Sequence, residues 1–393
     1  MMFLILLVII EILTLLVIRQ HFYDRSWMRY YFLVTFNILL SIWLWVLWFR
    51  ISNYNGIFDE PVNIWMIMSI NGVIAAVVIP RFIMIIFHYS GVLARRGTGG
   101  HIRHLTNTGM IIAALIFSTV LAGTFFWRFN FRKEEIEVNI RGLHPDLKGL
   151  KIVHISDLHL PSFYHHSGRL SDVMKQISEI EPDLLINTGD FVTIGWREYA
   201  GFDTILNTVQ GRYGSFAVLG NHDFGTYHPH YTEADRENNV LIMNKLISLS
   251  GYNVLNDESA MIKIGRAKVS VTGIVTMGRF PDIISGDLTE AIHGSDSADL
   301  KILLAHDPNH WEKGVVGKTD IDLTLSGHTH GMQFGILTKK IAWSPAKYYY
   351  PRWNGLYREG DQFLVVSRGM GVLGFPFRLG MPPDIVIITL NPE

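Results

Sequence analysis

The stretch LKIVHISDLHL, residues 150–160, joins an apolar run directly to an acidic residue and a histidine. The run LKIVHI (150–155) has the length and composition of a buried strand. Asp157 and His159 follow at its end. Residues two apart in an extended chain project to the same side, so this pair is expected to aim two metal-binding side chains into one cleft.

Five more apolar runs of strand length follow in the chain, and four of them also end in residues that bind metals or transfer protons. Active sites of α/β proteins gather at the carboxyl ends of strands, so we expect these loops to meet at one edge of a sheet. Five strands that end in metal-binding or proton-transferring residues at the same topological position indicate a functional site rather than ordinary turns. The runs are DLLINT (183–188), GSFAVL (214–219), KVSVTGI (268–274), KILLA (301–305) and IDLTLS (321–326), and the residues that follow four of them are Asp190, Asn221, His222, Asp223, His306, His328 and His330.

The segment between the first two strands has apolar residues at helical spacing, which predicts a helix that packs one face against the sheet. Pro182 ends the pattern. The order β-α-β indicates an α/β domain whose sheet is at least partly parallel. The apolar positions are Leu170, Val173, Met174, Ile177 and Ile180.

The candidate ligands are carboxylates, imidazoles and one amide. The chain contains no cysteine, which excludes disulfides and thiolate metal sites. These donors suit Mn²⁺, Fe or Zn²⁺ better than a calcium site built from oxygen alone. Six or seven of them exceed what one ion needs and fit two ions that share a carboxylate. Gly327 and Gly331, which flank the two histidines of GHTHG, permit backbone angles and a close approach that a Cβ would obstruct.

The ordered elements D-x-H, GD, GNHD, H and GHTH resemble the calcineurin-like metallophosphoesterase superfamily over roughly residues 140–393. The motif GHTHGMQ and the closing stretch 367–390 are most similar to its bacterial YkuE-like branch. The resemblance implies a β-sandwich flanked by helices and two divalent metal ions, with manganese favoured. It also implies hydrolysis of a phosphoester or pyrophosphate bond by a metal-bridged hydroxide.

The resemblance further implies a role for each candidate residue. His222 is implied to be the catalytic histidine near the leaving-group oxygen, and Asp190 is implied to bridge the two metals. The remaining implied ligands are Asp157, His159 and His330 for the first metal and Asn221, His306 and His328 for the second.

Several nearby residues have alternative roles. Asp223 is expected either to orient an imidazole of a metal ligand or to act as the N-cap of a helix. We interpret His228 and His230 as solvated loop residues rather than further ligands. The run 344–357 is aromatic and contains Lys347 and Arg352. It is expected to hold a phosphate and an acyl chain, to lie at a membrane interface, or to pack as an ordinary irregular segment.

Two departures from the family pattern bear on the substrate. Phosphoprotein phosphatases of the superfamily carry GD-x-x-D-R-G, whereas this chain reads GDFVTIG at 189–195, which argues against a protein phosphatase. Met332 stands where the YkuE-like pattern usually has a second glycine. Metal ligation is expected to survive this change, while the pocket wall beside the site is expected to differ.

Four long apolar runs precede this domain and predict about four transmembrane helices, the third of them interrupted by Pro80. The first run lacks the basic segment and cleavage site of a signal peptide, so we interpret it as a retained helix. The predicted division is a transmembrane region over residues 1–128 and a catalytic domain over 129–393. The predicted spans are about 2–18, 32–49, 64–89 and 110–127.

Loop charges predict the orientation of these helices. Loops 19–31 and 91–109 each carry three arginines, whereas 51–62 contains Asp59 and Glu60 and no basic residue. The positive-inside rule then places both termini and the catalytic domain on the extracytoplasmic side. Three basic residues just after the fourth run favour the opposite orientation.

Two charged residues, Glu11 and Arg81, fall within the predicted spans. Charges inside a membrane are costly and are usually paired or functional. These two are expected to pair with each other, unless Arg81 reaches a lipid headgroup.

The sequence favours a membrane-anchored phosphoesterase that acts on a membrane-associated or lipid-linked substrate, with membrane lipids as partners. An alternative is a catalytically inactive phosphoesterase-like membrane receptor or scaffold, but no ligand of the pattern is missing. A transporter or channel accessory is a third alternative, based on Glu11 and Arg81. The net charge of −1 provides no basic excess for a nucleic-acid partner.

Overall fold

The computed structural model describes residues 2–52, 58–98, 102–199, 201–279 and 282–393. The chain divides into two units that are not continuous in sequence. The short segment 374–377 belongs to the first, helical unit, and the short segment 58–65 belongs to the second. The helical unit comprises 1–57, 66–126 and 374–377, and the second unit comprises 58–65, 127–373 and 378–393.

The helical unit contains four helices that are long and apolar enough to cross a membrane, as the sequence predicts. All four begin at or before the predicted spans, and the first three also end after them. The third continues through Pro80. A proline removes one backbone donor from a helix, a loss that transmembrane helices tolerate where neighbouring groups satisfy the freed carbonyl. Residues 53–57 and 99–101 of the predicted loops lie outside the described residues. The helices are α1 (Met2–Phe22), α2 (Trp27–Ser52), α3 (Pro61–Thr98) and α4 (Ile102–Phe125).

The two charged residues within the predicted spans, Glu11 and Arg81, lie close together. Arg81 Nη1 is 3.9 Å from Glu11 Oε1. The same guanidinium donates to Asn37 Oδ1 (3.2 Å) and to Ser41 Oγ (3.0 Å). The structure therefore agrees with a charge pair inside the bundle, since the buried Arg81 has its partners on α1 and α2.

The second unit contains two six-stranded mixed sheets, which confirms the predicted α/β sandwich. The strands are β1 (Arg132–Ile140), β2 (Lys151–Ile155), β3 (Leu184–Asn187), β4 (Ser215–Ala217), β5 (Asn253–Val254), β6 (Glu258–Ile264), β7 (Ala267–Ile274), β8 (Thr276–Arg279), β9 (Asp282–Ser285), β10 (Leu300–Ala305), β11 (Leu323–Ser326), β12 (Ile336–Leu337), β13 (Ala342–Trp343), β14 (Gly355–Glu359), β15 (Gln362–Val366) and β16 (Asp384–Pro392). The first sheet has the order β1-β16-β2-β3-β4-β5, and the second has the order β14-β15-β11-β10-β7-β6. In the first sheet β2 to β5 are parallel to one another, and in the second β7, β10, β11 and β15 are parallel.

All six strands predicted from apolar runs are present, as β2, β3, β4, β7, β10 and β11. The expectation of one sheet edge is wrong, because β2 to β4 belong to one sheet and β10 and β11 to the other. The loops at the carboxyl ends of these strands nevertheless bring candidate ligands from both sheets within hydrogen-bonding distance of one another. The sandwich thus positions the site at the end of two sheets rather than along one.

Helices cover the outer faces of the sandwich. The predicted helix is α5 (Ser167–Ser178), which buries Leu170, Val173 and Met174. Apolar side chains of both sheets meet in one core cluster, including Ile152 and Ile302. A second apolar cluster lies between the first sheet and its helices. The remaining helices are α6 (Asp203–Leu206), α7 (Glu233–Leu249) and α8 (Leu288–Ala291).

Candidate metal centre

Asp157, His159 and His330 form the first group of metal-binding atoms. His330 Nε2 lies 3.1 Å from His159 Nε2 and 3.3 Å from Asp157 Oδ1. All three residues are buried. One ligand atom from each falls within 4.8 Å of the others, so the three can hold a single ion.

Asp190, His306 and His328 form the second group. His306 Nε2 lies 3.1 Å from both Asp190 Oδ2 and His328 Nδ1. Asp190 Oδ2 is also 3.8 Å from His159 Nε2 of the first group. One buried carboxylate therefore lies beside both groups, which is the arrangement that a bridging ligand requires.

Asn221 provides an independent test of whether this site fits a cation. Its Nδ2 donates to the Tyr227 hydroxyl at 3.0 Å. Its Oδ1 is buried and has no hydrogen-bond partner among the described residues. Leaving a buried acceptor unpaired costs about 1–3 kcal/mol, so such an atom in a native protein needs a partner. An amide oxygen is a suitable ligand for a divalent ion, and the residues present fit that group.

Five of the seven candidate ligands have left-handed backbone conformations. The φ angles are 51° at Asp157, 38° at His159, 57° at Asp190, 70° at His328 and 50° at His330. Residues with side chains rarely adopt this region, at a cost of roughly 1–2 kcal/mol each. The expectation that these pairs project from extended chain is therefore wrong, since tight turns aim them. Backbone strain of this kind is typical of functional sites.

The close approach expected at Gly327 is present. A Cβ at this position would overlap Ser156 Oγ and Asp157 Oδ2. The next residue, His328, donates its backbone N–H to Asp157 Oδ2 at 3.0 Å. Glycine therefore lets the turn after β11 pack directly on the turn after β2.

The second ring nitrogens of three candidate ligands have protein partners. His306 Nδ1 lies 2.7 Å from the carbonyl oxygen of Thr188, and His159 Nδ1 lies 3.2 Å from a threonine hydroxyl. His328 Nε2 lies 2.8 Å from the Tyr350 hydroxyl. These contacts orient the imidazoles and leave the opposite nitrogens to the metal groups. The sequence does not single out Tyr350, because a run of three tyrosines does not indicate which one reaches the site.

Burial and neighbouring charge separate the pKa values of these histidines. Burial lowers the pKa of His159 to about 3 and that of His328 to about 4, so both are neutral and able to bind a metal. Burial would also lower the pKa of His306, but the charge of Asp190, the hydrogen bond to it and the charge of Asp157 raise this pKa to about 10. In the metal-free protein, His306 is therefore protonated at neutral pH.

His222 lies beside the metal groups and belongs to neither. Its ring centroid is 5.0 Å from that of His159, and its backbone N–H donates to Asp190 Oδ1 at 2.9 Å. Its Nδ1 lies 2.6 Å from the Thr193 carbonyl oxygen, which fixes the ring and leaves Nε2 for chemistry. Burial lowers the pKa of His222, although the charge of Asp190 opposes this effect.

Asp223 stabilises the backbone of the site. It accepts the backbone N–H groups of Asp190 (2.8 Å), Gly220 (2.9 Å) and Val192 (3.1 Å). These contacts fit neither expectation, because the carboxyl accepts N–H groups of loop residues and neither orients an imidazole nor caps a described helix. Burial raises the pKa of this carboxyl to about 8, and the charge of Asp190 adds to the rise.

Lys347 and Arg352, the two basic residues that the sequence singles out, contact aromatic and acidic side chains. Lys347 is exposed and its Nζ lies over the Tyr348 ring. Arg352 pairs with Glu312 at 3.0 Å and with Glu359 at 2.8 Å. The charge of Arg352 is therefore already balanced by two carboxylates.

The two histidines after GNHD behave differently. His230 is exposed as expected, but the prediction of a solvated His228 is wrong. His228 is buried because its ring stacks on Tyr231 and its Nε2 lies 3.4 Å from Asp59 Oδ1. Neither histidine belongs to a metal group of the described residues.

The family of this domain follows from comparison with known proteins. Residues 150–332 match the family model described as calcineurin-like phosphoesterase. The matched region contains every residue of both metal groups. Residues 150–332 therefore form a calcineurin-like metallophosphoesterase domain, and four long apolar helices precede it in the chain.

Individual relatives include membrane and bacterial proteins. A transmembrane protein with metallophosphoesterase domain from Danio rerio is 28% identical over 65% of this chain and 56% of its own length. The metallophosphoesterase YkuE of Bacillus subtilis is 26% identical over 62% of this chain and 79% of its own length. A metallophosphoesterase of Aquifex aeolicus is 28% identical over 72% of this chain and 98% of its own length. The match thus spans just over half of the Danio rerio protein.

Proposed function

We propose that this protein is a membrane-anchored phosphoesterase that uses two divalent metal ions to hydrolyse a phosphoester or pyrophosphate bond. The observation that carries this proposal is the position of Asp190, whose Oδ2 lies 3.1 Å from His306 Nε2 and 3.8 Å from His159 Nε2. A carboxylate between two sets of imidazoles is suited to holding two ions close together. We assign Asn221, whose buried side-chain oxygen has no hydrogen-bond partner among the described residues, to the second set.

The protein residues have two roles in the proposed reaction: one group holds the metal ions, and His222 donates a proton. When bound, the two ions polarise the phosphoryl group and lower the pKa of water at the site. His222, in its protonated form, donates a proton from Nε2 to the leaving-group oxygen, while the Thr193 carbonyl oxygen holds its Nδ1. Burial lowers the pKa of this ring, and the charge of Asp190 partly offsets that effect. The residues proposed to hold the ions are Asp157, His159 and His330 for one, Asn221, His306 and His328 for the other, and Asp190 for both.

The direct test uses purified full-length protein in detergent micelles. We expect hydrolysis of chromogenic phosphomonoesters or phosphodiesters with Mn²⁺ and loss of activity after chelation. Mass spectrometry is expected to find two bound metal ions per chain. A single bound ion with full activity would contradict the two-metal proposal.

We further propose that the substrate is membrane-associated or lipid-linked and that the catalytic domain, 129–393, lies on the extracytoplasmic side. The membrane anchor is assigned to residues 1–128. The support is the set of apolar helices and the distribution of charges in the loops between them. A reporter that works on only one side of the membrane, fused after Glu393, tests the orientation, and activity of a cytoplasmic reporter would overturn it.

The protonation of His306 gives a prediction for metal binding. Because its pKa of about 10 lies above neutral pH, a metal must displace a proton from this imidazole. We expect proton release on binding at pH 7 and an affinity for the second ion that rises with pH until this pKa is passed. Calorimetry in two buffers of different ionisation enthalpy measures the release.

The matched control for this prediction is His306→Gln, which has no imidazole to deprotonate. The proton release assigned to the second ion should disappear in this variant. Binding to the first group should depend less on pH, because burial keeps His159 neutral. Equal proton release by the parent protein and the variant would contradict the assignment.

Tyr350 is predicted to support the second group through its hydrogen bond with His328. Replacing an outer partner of a metal ligand typically lowers metal affinity or activity by about 10–100-fold. We expect Tyr350→Phe to show a loss in this range, measured as the Mn²⁺ concentration needed for half-maximal activity. Tyr213→Phe, at a tyrosine packed against the sandwich core, is the matched control and should leave this concentration unchanged.

A further inference from the structure

Residues 332–349, which we call the exposed hairpin, carry a concentration of exposed apolar side chains. Among the described residues of the second unit, six of the thirteen exposed large apolar residues lie in this short segment. Ile336 is 52% exposed and Ile341 is 56% exposed. Exposed apolar patches often mark surfaces that bind a membrane, a ligand or another protein. The six are Met332, Phe334, Ile336, Ile341, Tyr348 and Tyr349.

The exposed hairpin consists of two short strands followed by a short helix. Ile336 pairs with Trp343 in the ladder of β12 and β13, and the ring centroids of Phe334 and Trp343 are 6.2 Å apart. The helix Pro345–Tyr348 begins at Ser344, which accepts the N–H of Ala346. The apolar side chains therefore project from an ordered element.

The charges of the exposed hairpin are all of one sign. Residues 323–358 contain no aspartate or glutamate, whereas the hairpin carries Lys339, Lys340 and Lys347. All three lysines are exposed, and no ion pair within the described part of the chain involves them. Aromatic and aliphatic side chains beside such lysines match the chemistry of an anionic lipid surface.

Both ends of the exposed hairpin are joined to the metal groups. At its start, Met332 follows His330 and Gly331, and the Ser344 hydroxyl donates to the Gly331 carbonyl oxygen at 2.6 Å. At its end, the hairpin leads into Tyr350, whose hydroxyl contacts His328. The exposed surface and the metal centre therefore belong to one continuous stretch of chain.

The base of the hairpin is held by the closing part of the second unit. Gln333 exchanges hydrogen bonds of 2.6 and 3.1 Å with Leu373, and the N–H of Gly335 donates to Leu379 at 2.9 Å. The residues that hold the base therefore come from two places in the chain, Leu373 and Leu379. The hairpin is thus fixed relative to the domain that carries the metal groups.

The chain itself favours a lipid surface as the partner of the hairpin. Its first part contains four helices that are long and apolar enough to cross a membrane. A domain on the same chain as such helices stays close to a bilayer, so a surface with even a weak preference for lipid meets it at a high effective concentration. A soluble partner has no comparable advantage.

Met332 is consistent with a surface that contacts lipid. Its φ is 46°, a conformation that favours glycine, and its side chain is 38% exposed. A glycine would relieve the backbone strain. An apolar side chain at this position is explained if it contacts an apolar partner.

We propose that the exposed hairpin inserts into the interface of the lipid bilayer and holds the metal centre at the membrane surface. The apolar side chains enter the boundary between headgroups and acyl chains, and the lysines contact anionic headgroups. This interaction goes beyond the proposed hydrolysis. If the proposed function holds, it also provides a route by which a lipid-linked phosphoester reaches the metals.

The test uses the absence of cysteine from the chain. The single substitutions Ile336→Cys and Ile341→Cys are each labelled with a nitroxide in the full-length protein. Leu241→Cys, at a residue of α7 that is 69% exposed, is the matched control. The labelled proteins are reconstituted into vesicles of phosphatidylcholine and phosphatidylglycerol. Spin relaxation then measures collisions with oxygen, which dissolves in lipid, and with a water-soluble nickel chelate present on both sides of the membrane.

We expect labels at 336 and 341 to meet oxygen often and to meet the nickel chelate several-fold less often than the label at 241. Nickel accessibility equal to that at 241 would overturn the proposal. Low accessibility to both reagents would also overturn it, because it would mean that protein covers the hairpin. The readout does not depend on hydrolysis, so its result is separate from that of the activity assay.

The lysines are tested in the same measurement. Lys339→Glu with Lys340→Glu should raise nickel accessibility at the Ile341→Cys label in vesicles that contain phosphatidylglycerol. Lys245→Glu with Lys263→Glu is the matched change at exposed lysines outside the hairpin and should have no effect. An unchanged value in the hairpin variant would overturn the assignment of these lysines to headgroups.

Discussion

Asp190→Asn is expected to lower kcat/KM by about 10³-fold, corresponding to roughly 4 kcal/mol of lost transition-state stabilisation. Asp190 is the carboxylate whose Oδ2 lies beside imidazoles of both metal groups. Asparagine keeps the size of the side chain and an oxygen that can accept the His222 backbone N–H. It removes the negative charge that two cations would share. The measurement is steady-state hydrolysis of a chromogenic ester with Mn²⁺.

Metal content decides whether this loss has the proposed cause. We expect Asp190→Asn to bind fewer than two ions per chain while its circular dichroism matches that of the parent protein. Asp322→Asn is the matched control and should keep both ions, since Asp322 accepts the backbone N–H of Lys301 at 2.8 Å just before β11 begins. A fully active Asp190→Asn protein with two bound ions would contradict the bridging role.

The central strands of this domain were predictable because a strand buried on both faces is a continuous apolar run. The largely apolar runs LKIVHI and KILLA approach this form; the first contains all of β2 and the second contains most of β10. The edge strand β1 was missed, because its sequence RKEEIEVNI is mostly polar and becomes a strand by pairing with β16. A strand of this kind is specified by a distant partner, which local patterns do not reveal.

The candidate site was also predictable only in part. Residue types and their order indicate the metal groups, because few other functions require so many imidazoles and carboxylates after strands. The left-handed backbone at Asp157 and His328 was not predictable, since neither residue type signals it as glycine does. Tyr350 reaches His328 only because the exposed hairpin returns to the turn that carries His330.

His222→Ala is expected to lower kcat by about 10²–10⁴-fold, the usual contribution of a general acid, without loss of bound metal. His222 is outside both metal groups, and its backbone N–H, which contacts Asp190, is retained in alanine. The loss should be larger for an alkyl ester than for a nitrophenyl ester, because a good leaving group needs no proton. His230→Ala, at an exposed histidine of the same loop, is the matched control and should keep full activity. Loss of metal, or an equal loss with both esters, would show that His222 acts on the site's structure rather than as the proton donor.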